Sequence, residues 1–327
     1  MEQRRLGKTG RDVSVIGFGA WAIGGDWGTR DDATSLRALH AAADAGVTLI
    51  DTADVYGDGH SERLIGRFLR ERPGERFFVA TKMGRRVPQL PENYNPEAFR
   101  AWNDRSRENL GVDTLDLVQL HCPPTQVYYQ PEVFAALDEL VAEGRIANYG
   151  VSVEKVEEAL KAIEFPGVAS VQIIFNMLRQ RPAERFLAEA LRRDVGVLAR
   201  VPLASGILTG KLRRDSSFEP SDHRNYNRHG ASFDVGETFA GVDYDTGLEV
   251  ADALREIVPE GATLAQTALR WILMHEGVTA TIPGAKSPEQ AVANAAAGAM
   301  APLGDAAMAR VRELYDAKIR PLVHQRW

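Results

Sequence analysis

Short runs of apolar and β-branched residues alternate with longer amphipathic segments along almost the whole chain, and this rhythm limits the fold more than any other feature. Short runs predict strands, and apolar residues recurring every three to four positions predict helices. The predicted strands cover residues 15–19, 47–51, 77–81, 115–120, 146–151, 169–173, 195–200 and 278–282. The predicted helices cover residues 32–45, 60–70, 96–110, 131–143, 154–163, 182–192 and 263–275, followed by a helical C-terminal region from residue 287.

Strands that alternate with helices form parallel sheets covered by those helices, and eight of them predict a closed (β/α)8 TIM barrel. Two short strands around Lys8-Thr9-Gly10 predict an N-terminal β-hairpin ahead of the barrel, and extra helices follow it. An open doubly wound sheet would need a Gly-x-Gly-x-x-Gly turn that opens a helix, and Gly17-Phe18-Gly19 lacks the third glycine. Since no linker separates two cores, we expect one domain over residues 1–327.

Composition excludes several classes of function. The chain has 327 residues, 44% of them hydrophobic, and a net charge of −6, which argues against a nucleic-acid surface. The pairs Arg85-Arg86 and Arg192-Arg193 are expected to lie on solvated faces. Cys122 is the one cysteine, so a reducing compartment is favoured. With no signal peptide and no long apolar run, we expect a cytoplasmic protein with no membrane partner.

Polar side chains end several of the predicted strands, where barrel active sites collect. Asp51 ends one strand, Lys82 and His121 end the next two, and Tyr56 follows Asp51 by five residues. Each has a structural alternative as a turn cap, a solvated lysine, a buried histidine or a core tyrosine. A metal site built from Asp51, His60 and His121 is also open, although His60 more simply serves the turn before its helix.

The motifs DTADVYGDGHSE, VATKMG, LDLVQLHCP, GVS and PLASGILTGK resemble the aldo-keto reductase family, and the resemblance covers nearly the whole chain. It implies an NADP(H)-dependent enzyme that reduces aldehydes or ketones, with no metal. Tyr56 is then the proton donor, Lys82 and Asp51 are its charged neighbours, and His121 orients the carbonyl. A free tyrosine, with a pKa near 10, is a poor acid at neutral pH. We therefore expect Lys82 to lower the pKa of Tyr56.

The resemblance also implies a cofactor site. Ser152 and Gln172 would hold the nicotinamide carboxamide, with Asn176 nearby, and Val153 departs from the asparagine that many relatives carry. Arg200 stands where relatives often place an aromatic ring against the nicotinamide. Its guanidinium would stack there, or it would serve as a salt-bridge partner at the strand end.

The rest of the cofactor would lie along two loops. Leu203, Ser205 and Gly206 form a small-residue loop for the pyrophosphate, with Lys211 neutralising charge. The start of the helix capped by Ser287 is an anion site suited to a 2′-phosphate, which favours NADP(H) over NAD(H). The residues implied there are Gly284, Lys286, Gln290 and Asn294. Gly284 and Gln290 depart from the basic residues that relatives often carry.

Two rival functions remain open on sequence alone. One is a cofactor-binding regulatory subunit of the same fold, without turnover. The other is a barrel hydrolase or aldolase, which would need a metal cluster or a Schiff-base lysine in a carboxylate-free setting. Candidates for an apolar pocket mouth that accepts an apolar carbonyl are Trp21, Trp27, Met83, Tyr128 and Tyr129, and simple packing is the alternative for each.

Residues 212–245 interrupt the strand–helix rhythm with little periodicity and several glycines. Because the segment follows the carboxyl end of a strand, we expect it to form part of a lid over the site. Arg224, Phe218, Tyr226 and Phe233 are expected to limit access. A solvated insertion is the alternative.

Overall fold

A computed structural model describes residues 1–24 and 31–327. Eight parallel strands form one sheet in sequential order. After the hairpin strands β1 (Gln3–Arg5) and β2 (Asp12–Ser14), these are β3 (Phe18–Gly19), β4 (Leu49–Asp51), β5 (Phe78–Met83), β6 (Leu117–His121), β7 (Tyr149–Ser152), β8 (Val168–Ile174), β9 (Gly196–Arg200) and β10 (Ala280–Thr281). The predicted order and the N-terminal hairpin are confirmed.

Helices connect the strands and continue after the last one. They are α1 (Trp21–Gly24), α2 (Asp32–Asp44), α3 (His60–Glu71), α4 (Pro96–Leu110), α5 (Pro131–Ala142), α6 (Val156–Ala162), α7 (Phe186–Arg192), α8 (His223–Tyr226), α9 (Tyr244–Ala253), α10 (Leu264–Leu273), α11 (Pro288–Ala296), α12 (Asp305–Leu314) and α13 (Arg320–Val323). Within the described ranges, none of them combines the length and the apolar character that crossing a membrane requires.

Several predicted strand and helix boundaries differ by one to three residues, and two helices differ more visibly. Helix α6 begins two residues later than expected, because the Glu158 carboxylate accepts hydrogen bonds from the backbone N–H groups of Glu154 and Lys155 and holds them in the preceding turn. The helix expected over 182–192 is split into a 3-10 turn at Arg181–Glu184 and α7.

Hydrogen bonds between the first and last strands close the barrel. Ile16 bridges Thr281 and Gly19 bridges Gly284, both in parallel register. The Gly19 N–H donates to the Pro283 carbonyl at 3.0 Å. A Cβ atom at Gly19 would lie 2.6 Å from the Ile282 carbonyl oxygen, so only glycine permits this approach. The closed (β/α)8 barrel predicted from the alternation is therefore confirmed.

The hairpin covers the amino-terminal end of the barrel. Leu6 and Val13 pack in one buried cluster with strand residues that include Phe78 and Leu117. The turn is held against the strand ends because the Lys8 N–H donates to the Asp194 carbonyl at 2.9 Å. With one end plugged, the carboxyl ends of the strands remain for the functional site.

We expect Leu117→Ala to lower the free energy of unfolding by about 2–5 kcal/mol, because Leu117 is fully buried in this cluster and its truncation leaves a cavity. Leu191→Ala is the matched control, since Leu191 is 57% exposed. Denaturant titration of both variants checks the difference. Equal stability of the two variants would show that the cluster does not support the fold.

Candidate active site

Four polar side chains from the carboxyl ends of neighbouring strands meet, as the sequence predicts. The Lys82 ammonium donates to Asp51 Oδ1 at 2.7 Å and to the Thr52 carbonyl at 2.8 Å. Its Nζ also lies 3.5 Å from the Tyr56 hydroxyl. The Tyr56 and His121 rings meet edge to face with centroids 5.9 Å apart. Both rings line one cavity.

The protonation of Tyr56 differs from the expectation. Burial raises the pKa of its hydroxyl well above the usual range, and the charges of Asp51 and Glu237 raise it further. The Lys82 ammonium lies closer to Asp51 than to the Tyr56 hydroxyl and is paired with that carboxylate. The net shift in the pKa of Tyr56 is therefore opposite to the lowering expected from the sequence, and Tyr56 holds its proton as a neutral donor.

His121 is also neutral. Burial lowers the pKa of its imidazole well below the usual range, with further lowering by Arg85 and Lys82. Its Nδ1 atom is buried with no hydrogen-bond partner among the described residues. Two neutral groups, the Tyr56 hydroxyl and the His121 imidazole, therefore face the same cavity.

The metal-site and Schiff-base alternatives do not fit the geometry. His60 Nε2 pairs with Asp32 Oδ1 at 2.9 Å on the surface, so it does not join Asp51 and His121. Lys82 is bonded to a carboxylate, whereas a Schiff-base lysine was expected in a carboxylate-free setting.

The cavity has a volume of about 420 Å³, and its wall combines aromatic side chains with charged and polar ones. Its aromatic side consists of Trp21, Tyr226 and Phe233. Of the other residues expected at an apolar mouth, Met83 and Tyr128 are buried in the core, and Tyr129 is 62% exposed. Trp27 lies outside the described residues. The prediction that Met83, Tyr128 and Tyr129 form an apolar mouth of the pocket is therefore wrong.

Two arginines and two glutamates form a closed group at this wall, called here the charged ring. Arg85 donates to Glu237 Oε1 at 2.7 Å and to Glu154 Oε1 at 3.2 Å. Arg200 donates to Glu154 Oε2 at 2.9 Å and lies 3.5 Å from Glu237 Oε2. The expectation that Arg85 is solvated is wrong, since its side chain is only 18% exposed.

The two carboxyl groups of the ring differ in protonation. Burial raises the pKa of Glu154 to about 8, and the charge of Glu237 adds to the shift. The pKa of Glu237 is held below its usual range, because Arg85 and Arg200 favour its charged form. Donor atoms of Cys122, Glu154 and Glu237 lie within 4.8 Å of one another, but the guanidinium groups already occupy both carboxylates, which disfavours a metal ion there.

Sequence reasoning missed three of the cavity residues in this ring. Arg85 follows β5 by two residues and Glu154 follows β7 by two, so the strand-end criterion that found Lys82 could have found them. Glu237 lies in the irregular segment between β9 and α9, where no pattern marks it.

The residues implied for the nicotinamide stand at the ends of β7, β8 and β9. Ser152 is buried, with its hydroxyl 3.4 Å from the Cys122 sulfur. The Gln172 amide donates to Asp51 Oδ2 at 2.7 Å, and Asn176 donates to the Val201 carbonyl at 2.9 Å. Arg200 forms salt bridges with Glu154 and Glu237, which is one of the two roles that the sequence allows for it.

The loop after β9 has a strained backbone. Val201, Ala204 and Ser205 have φ values of 52°, 47° and 53°, and Gly206 has a φ of 106°. Such left-handed residues are costly outside glycine and collect at ligand sites. The Ser205 hydroxyl donates to the Glu237 carbonyl at 3.2 Å, so the side chain holds the following segment. Leu203 is partly buried and Lys211 is exposed.

The loop before α11 is held by two of the implied cofactor residues. Gln290 accepts a hydrogen bond from the Lys286 N–H at 2.8 Å, and Asn294 donates to the Gly284 carbonyl at 3.1 Å. Ser287 caps the helix by accepting from the Gln290 N–H. Lys286 is exposed beside this helix start.

The irregular segment 212–245 reaches the cavity in part as predicted. Tyr226 and Phe233 line the cavity, whereas Phe218 does not and instead packs on Arg224, whose guanidinium lies 4.3 Å from the ring centroid. Arg224 also makes a two-pronged ion pair with Asp222. The cavity therefore takes its wall from both the barrel and this segment.

Trp327 fastens the same segment to the barrel. Its indole N–H donates to Asp234 Oδ1 at 2.9 Å, and Asp234 lines the cavity. The Arg179 guanidinium stacks on the indole at 3.8 Å. Gly241 allows the close approach, since a Cβ atom there would lie 2.4 Å from the indole ring.

A closed parallel barrel with a tyrosine, an ion-paired lysine and a neutral histidine at its strand ends defines a barrel protein equipped for acid/base chemistry on a small molecule. The model of the aldo/keto reductase family matches residues 15–316. The chain therefore belongs to the aldo/keto reductase family, an oxidoreductase family.

Individual relatives extend this comparison. The NADH-specific methylglyoxal reductase of Escherichia coli is 30% identical, covering 97% of this chain and 99% of its own. The solved structure of the glycerol dehydrogenase AKR11B4 from Gluconobacter oxydans is 29% identical with a TM-score of 0.79, covering 98% and 96% of the two chains. An aldo/keto reductase from Klebsiella pneumoniae, solved in complex with NADP and acetate, is 26% identical with a TM-score of 0.70, covering 96% and 95%.

Asp54, two residues before Tyr56, is a buried carboxyl group outside the catalytic set. Neither of its side-chain oxygens has a hydrogen-bond partner among the described residues. Burial raises its pKa to about 7, with a smaller contribution from Glu62. Because the folded pKa exceeds the unfolded value, folding loses stability as the pH rises from about 4 to about 7.

We expect Asp54→Asn to become more stable relative to the wild type as the pH rises through this window, by up to about 4 kcal/mol at pH 8. Unfolding free energies of both proteins at pH 4.5 and pH 8 measure the effect. Asp215→Asn, on an exposed stretch, serves as the control. A difference between Asp54→Asn and the wild type that does not change with pH would contradict the assignment.

Proposed function

We propose that this protein reduces aldehydes or ketones with NADPH, and that Tyr56 supplies the proton. The observation that carries the proposal is the pair of neutral groups, the Tyr56 hydroxyl and the His121 imidazole, facing one cavity beside the buried Lys82–Asp51 ion pair. Family membership supports the oxidoreductase class.

Carbonyl reduction needs hydride at carbon and a proton at oxygen, and bound NADPH supplies the hydride. His121 would hydrogen-bond the carbonyl oxygen and hold it near Tyr56 as negative charge develops. Tyr56 would then transfer its proton to that oxygen. Lys82, with its ammonium 3.5 Å from the Tyr56 hydroxyl, would stabilise the phenolate that remains, and Asp51 keeps Lys82 in position.

The described residues fit a dinucleotide. The loop after β9, in which Val201, Ala204, Ser205 and Gly206 are left-handed, would form a turn of the kind that approaches phosphate groups closely. Ser152 ends β7 and is paired with Gln172 of β8, and both would hold the nicotinamide. Arg200 is held by hydrogen bonds to the Val153 carbonyl and the Glu154 carboxyl group, so its role would be to support the cavity wall beside the nicotinamide.

The phosphate-binding part of the site lies before α11. Lys286 and the capped helix start would bind the 2′-phosphate, and Gln290 and Asn294 shape the loop that carries Lys286. Lys211 would neutralise pyrophosphate charge. Preference for NADP(H) is supported by these residues and by the NADP-bound relative, while the NADH-specific relative makes the preference a point to measure.

We expect Tyr56→Phe to lower kcat by about 10²- to 10⁴-fold with little change in cofactor affinity, because the hydroxyl carries the proton. Steady-state rates with NADPH, together with cofactor titration by fluorescence, measure both quantities. Tyr129→Phe is the control, since Tyr129 is 62% exposed. Near-normal turnover in Tyr56→Phe would refute the mechanism. A wild type that binds NADPH but reduces no carbonyl would instead favour the regulatory-subunit alternative.

We expect NADPH to bind about tenfold or more tightly than NADH, because charge-assisted contacts to a phosphate are worth roughly 1.5–3 kcal/mol. Lys286→Ala should remove most of that difference, and Lys318→Ala, remote from α11 in sequence and 50% exposed, should not. Fluorescence titration of both cofactors gives one ratio of dissociation constants for each of the three proteins. Equal dissociation constants for the two cofactors in the wild type would be evidence against the proposed phosphate site.

A further inference from the structure

We propose that Asp54 is a positioning residue for Tyr56 and makes carbonyl reduction depend on pH. While its carboxyl group is uncharged, the turn that carries Tyr56 stays in place. When the group ionises, it draws this turn toward Arg105, and the tyrosine moves with it. The inference rests on the proposed reductase function and adds to it a group that does not line the cavity.

Asp54 belongs to the same turn as the tyrosine. The Asp54 N–H donates to the Lys82 carbonyl at 3.0 Å, and the Tyr56 N–H donates to the Ala53 carbonyl at 3.2 Å. The backbone is therefore tied to β5 at Asp54 and folds back on itself at Tyr56. A displacement of Asp54 is transmitted to the tyrosine, which follows only two residues later.

The carboxyl group of Asp54 is buried without the partners that a charged carboxylate requires. The residue is 1% exposed, and neither side-chain oxygen has a hydrogen-bond partner among the described residues. A carboxylate buried without donors is costly, so the uncharged form is favoured in this place. Because burial raises the pKa of Asp54 to about 7, the group changes its charge near neutral pH.

Four titratable or charged side chains from the surrounding elements act on Asp54. They are Glu62 in α3, Arg86 after β5, Tyr94 before α4 and Arg105 in α4. The charge of Glu62 adds to the rise that burial causes in the pKa of Asp54. The charges of Arg86 and Arg105 act in the opposite direction and favour the ionised form.

Glu62 does not serve as a hydrogen-bond partner of Asp54, because both of its oxygens are occupied. One accepts from the Thr81 hydroxyl at 2.6 Å, and the other accepts from the Asn109 amide at 2.9 Å. An ionised Asp54 would be repelled by Glu62 and attracted by the arginines on the other elements.

Arg105 is the group that an ionised Asp54 would approach. Its Nη1 atom is buried and has no hydrogen-bond partner in the described part of the chain. Its Nη2 atom donates to the Asp58 carbonyl at 2.8 Å and to Asp58 Oδ1 at 2.9 Å, so the guanidinium already lies against the loop that contains Tyr56. Between residues 31 and 327, no ion pair joins Asp54 to Arg105. An unsatisfied donor and an unsatisfied acceptor therefore give this loop a second arrangement once Asp54 is charged.

The second arrangement would impair proton transfer. The Tyr56 hydroxyl lies 3.5 Å from Lys82 Nζ, and it must reach the carbonyl oxygen within hydrogen-bonding distance to give up its proton. A shift of about 1 Å in a catalytic group can cost on the order of 10²-fold in rate. Below a pH of about 7, Asp54 is uncharged and reduction is fast; above it, Asp54 is ionised and reduction slows.

The test follows kcat for a neutral aldehyde, benzaldehyde, with saturating NADPH from about pH 6 to about pH 8.5. We expect kcat of the wild type to fall about three- to tenfold, with its midpoint near the pKa of Asp54. Asp54→Asn cannot ionise and should show no such fall, and Asp54→Leu is the second variant should the first fail to fold. Arg105→Gln should give a smaller fall at higher pH, because a charge that favours ionised Asp54 is lost. Asp215→Asn, on an exposed stretch, is the control and should keep the fall of the wild type.

A second measurement detects the displacement without turnover. The protein is labelled with ¹³C at the ζ carbon of tyrosine, and the Tyr56 signal is identified by its loss in Tyr56→Phe. Because burial holds the pKa of Tyr56 well above its usual range, a change of this signal near neutral pH does not come from ionisation of the tyrosine. We expect the signal to shift with pH in the wild type and to stay constant in Asp54→Asn.

Two results would overturn the inference and leave the reductase function intact. One is the same fall of kcat in Asp54→Asn as in the wild type, and the other is a Tyr56 signal that stays constant while kcat falls. A wild type that reduces no carbonyl would instead overturn the proposed function. In that case, a Tyr56 signal that shifts in the wild type but not in Asp54→Asn would still support the displacement.

Discussion

The buried ion pair between Lys82 and Asp51 organises the functional end of the barrel. The two side chains are 1% and 4% exposed, so neither charge is solvated and each depends on the other. Asp51 is also bonded by Gln172, which ties β4 across the barrel to β8. The pair therefore fixes the lysine beside Tyr56 while leaving the tyrosine neutral. A reductase needs this state, because the proton must be present before it can be given to the substrate.

A second set of charges joins the barrel to the irregular segment that lines part of the cavity. Arg85 and Arg200 come from strand ends, and both contact Glu237 from the irregular segment. Ser205 adds hydrogen bonds to the same segment. Closure of the cavity and the polarity of its wall thus depend on the same contacts. Moving this segment away from the barrel would separate Glu237 from two guanidinium groups, so these ion pairs help to fix its position.

Much of this architecture could be predicted from the sequence. Buried parallel strands leave apolar runs, and residues such as Asp51 and His121 were found because they end those runs at one face of the barrel. Glu237 could not be found in this way, since its position depends on a long aperiodic segment. The burial of Arg85 could not be predicted, because the sequence of two adjacent arginines does not show which side chain points inward. The direction of the shift in the pKa of Tyr56 could not be predicted, because it depends on how deeply the hydroxyl is buried and on which group pairs with Lys82.

Trp327 shows how far along the chain the cavity wall is determined. Its indole holds Asp234 from a position 93 residues later in the sequence, and its ring fills the space that Gly241 leaves open. The C-terminal residues therefore help to shape the cavity, although they follow the last strand of the barrel. Substitutions in this terminal stretch would change the shape of the cavity wall. Two relatives with the same catalytic residues can therefore differ in the molecules they accept because of changes that lie outside every strand.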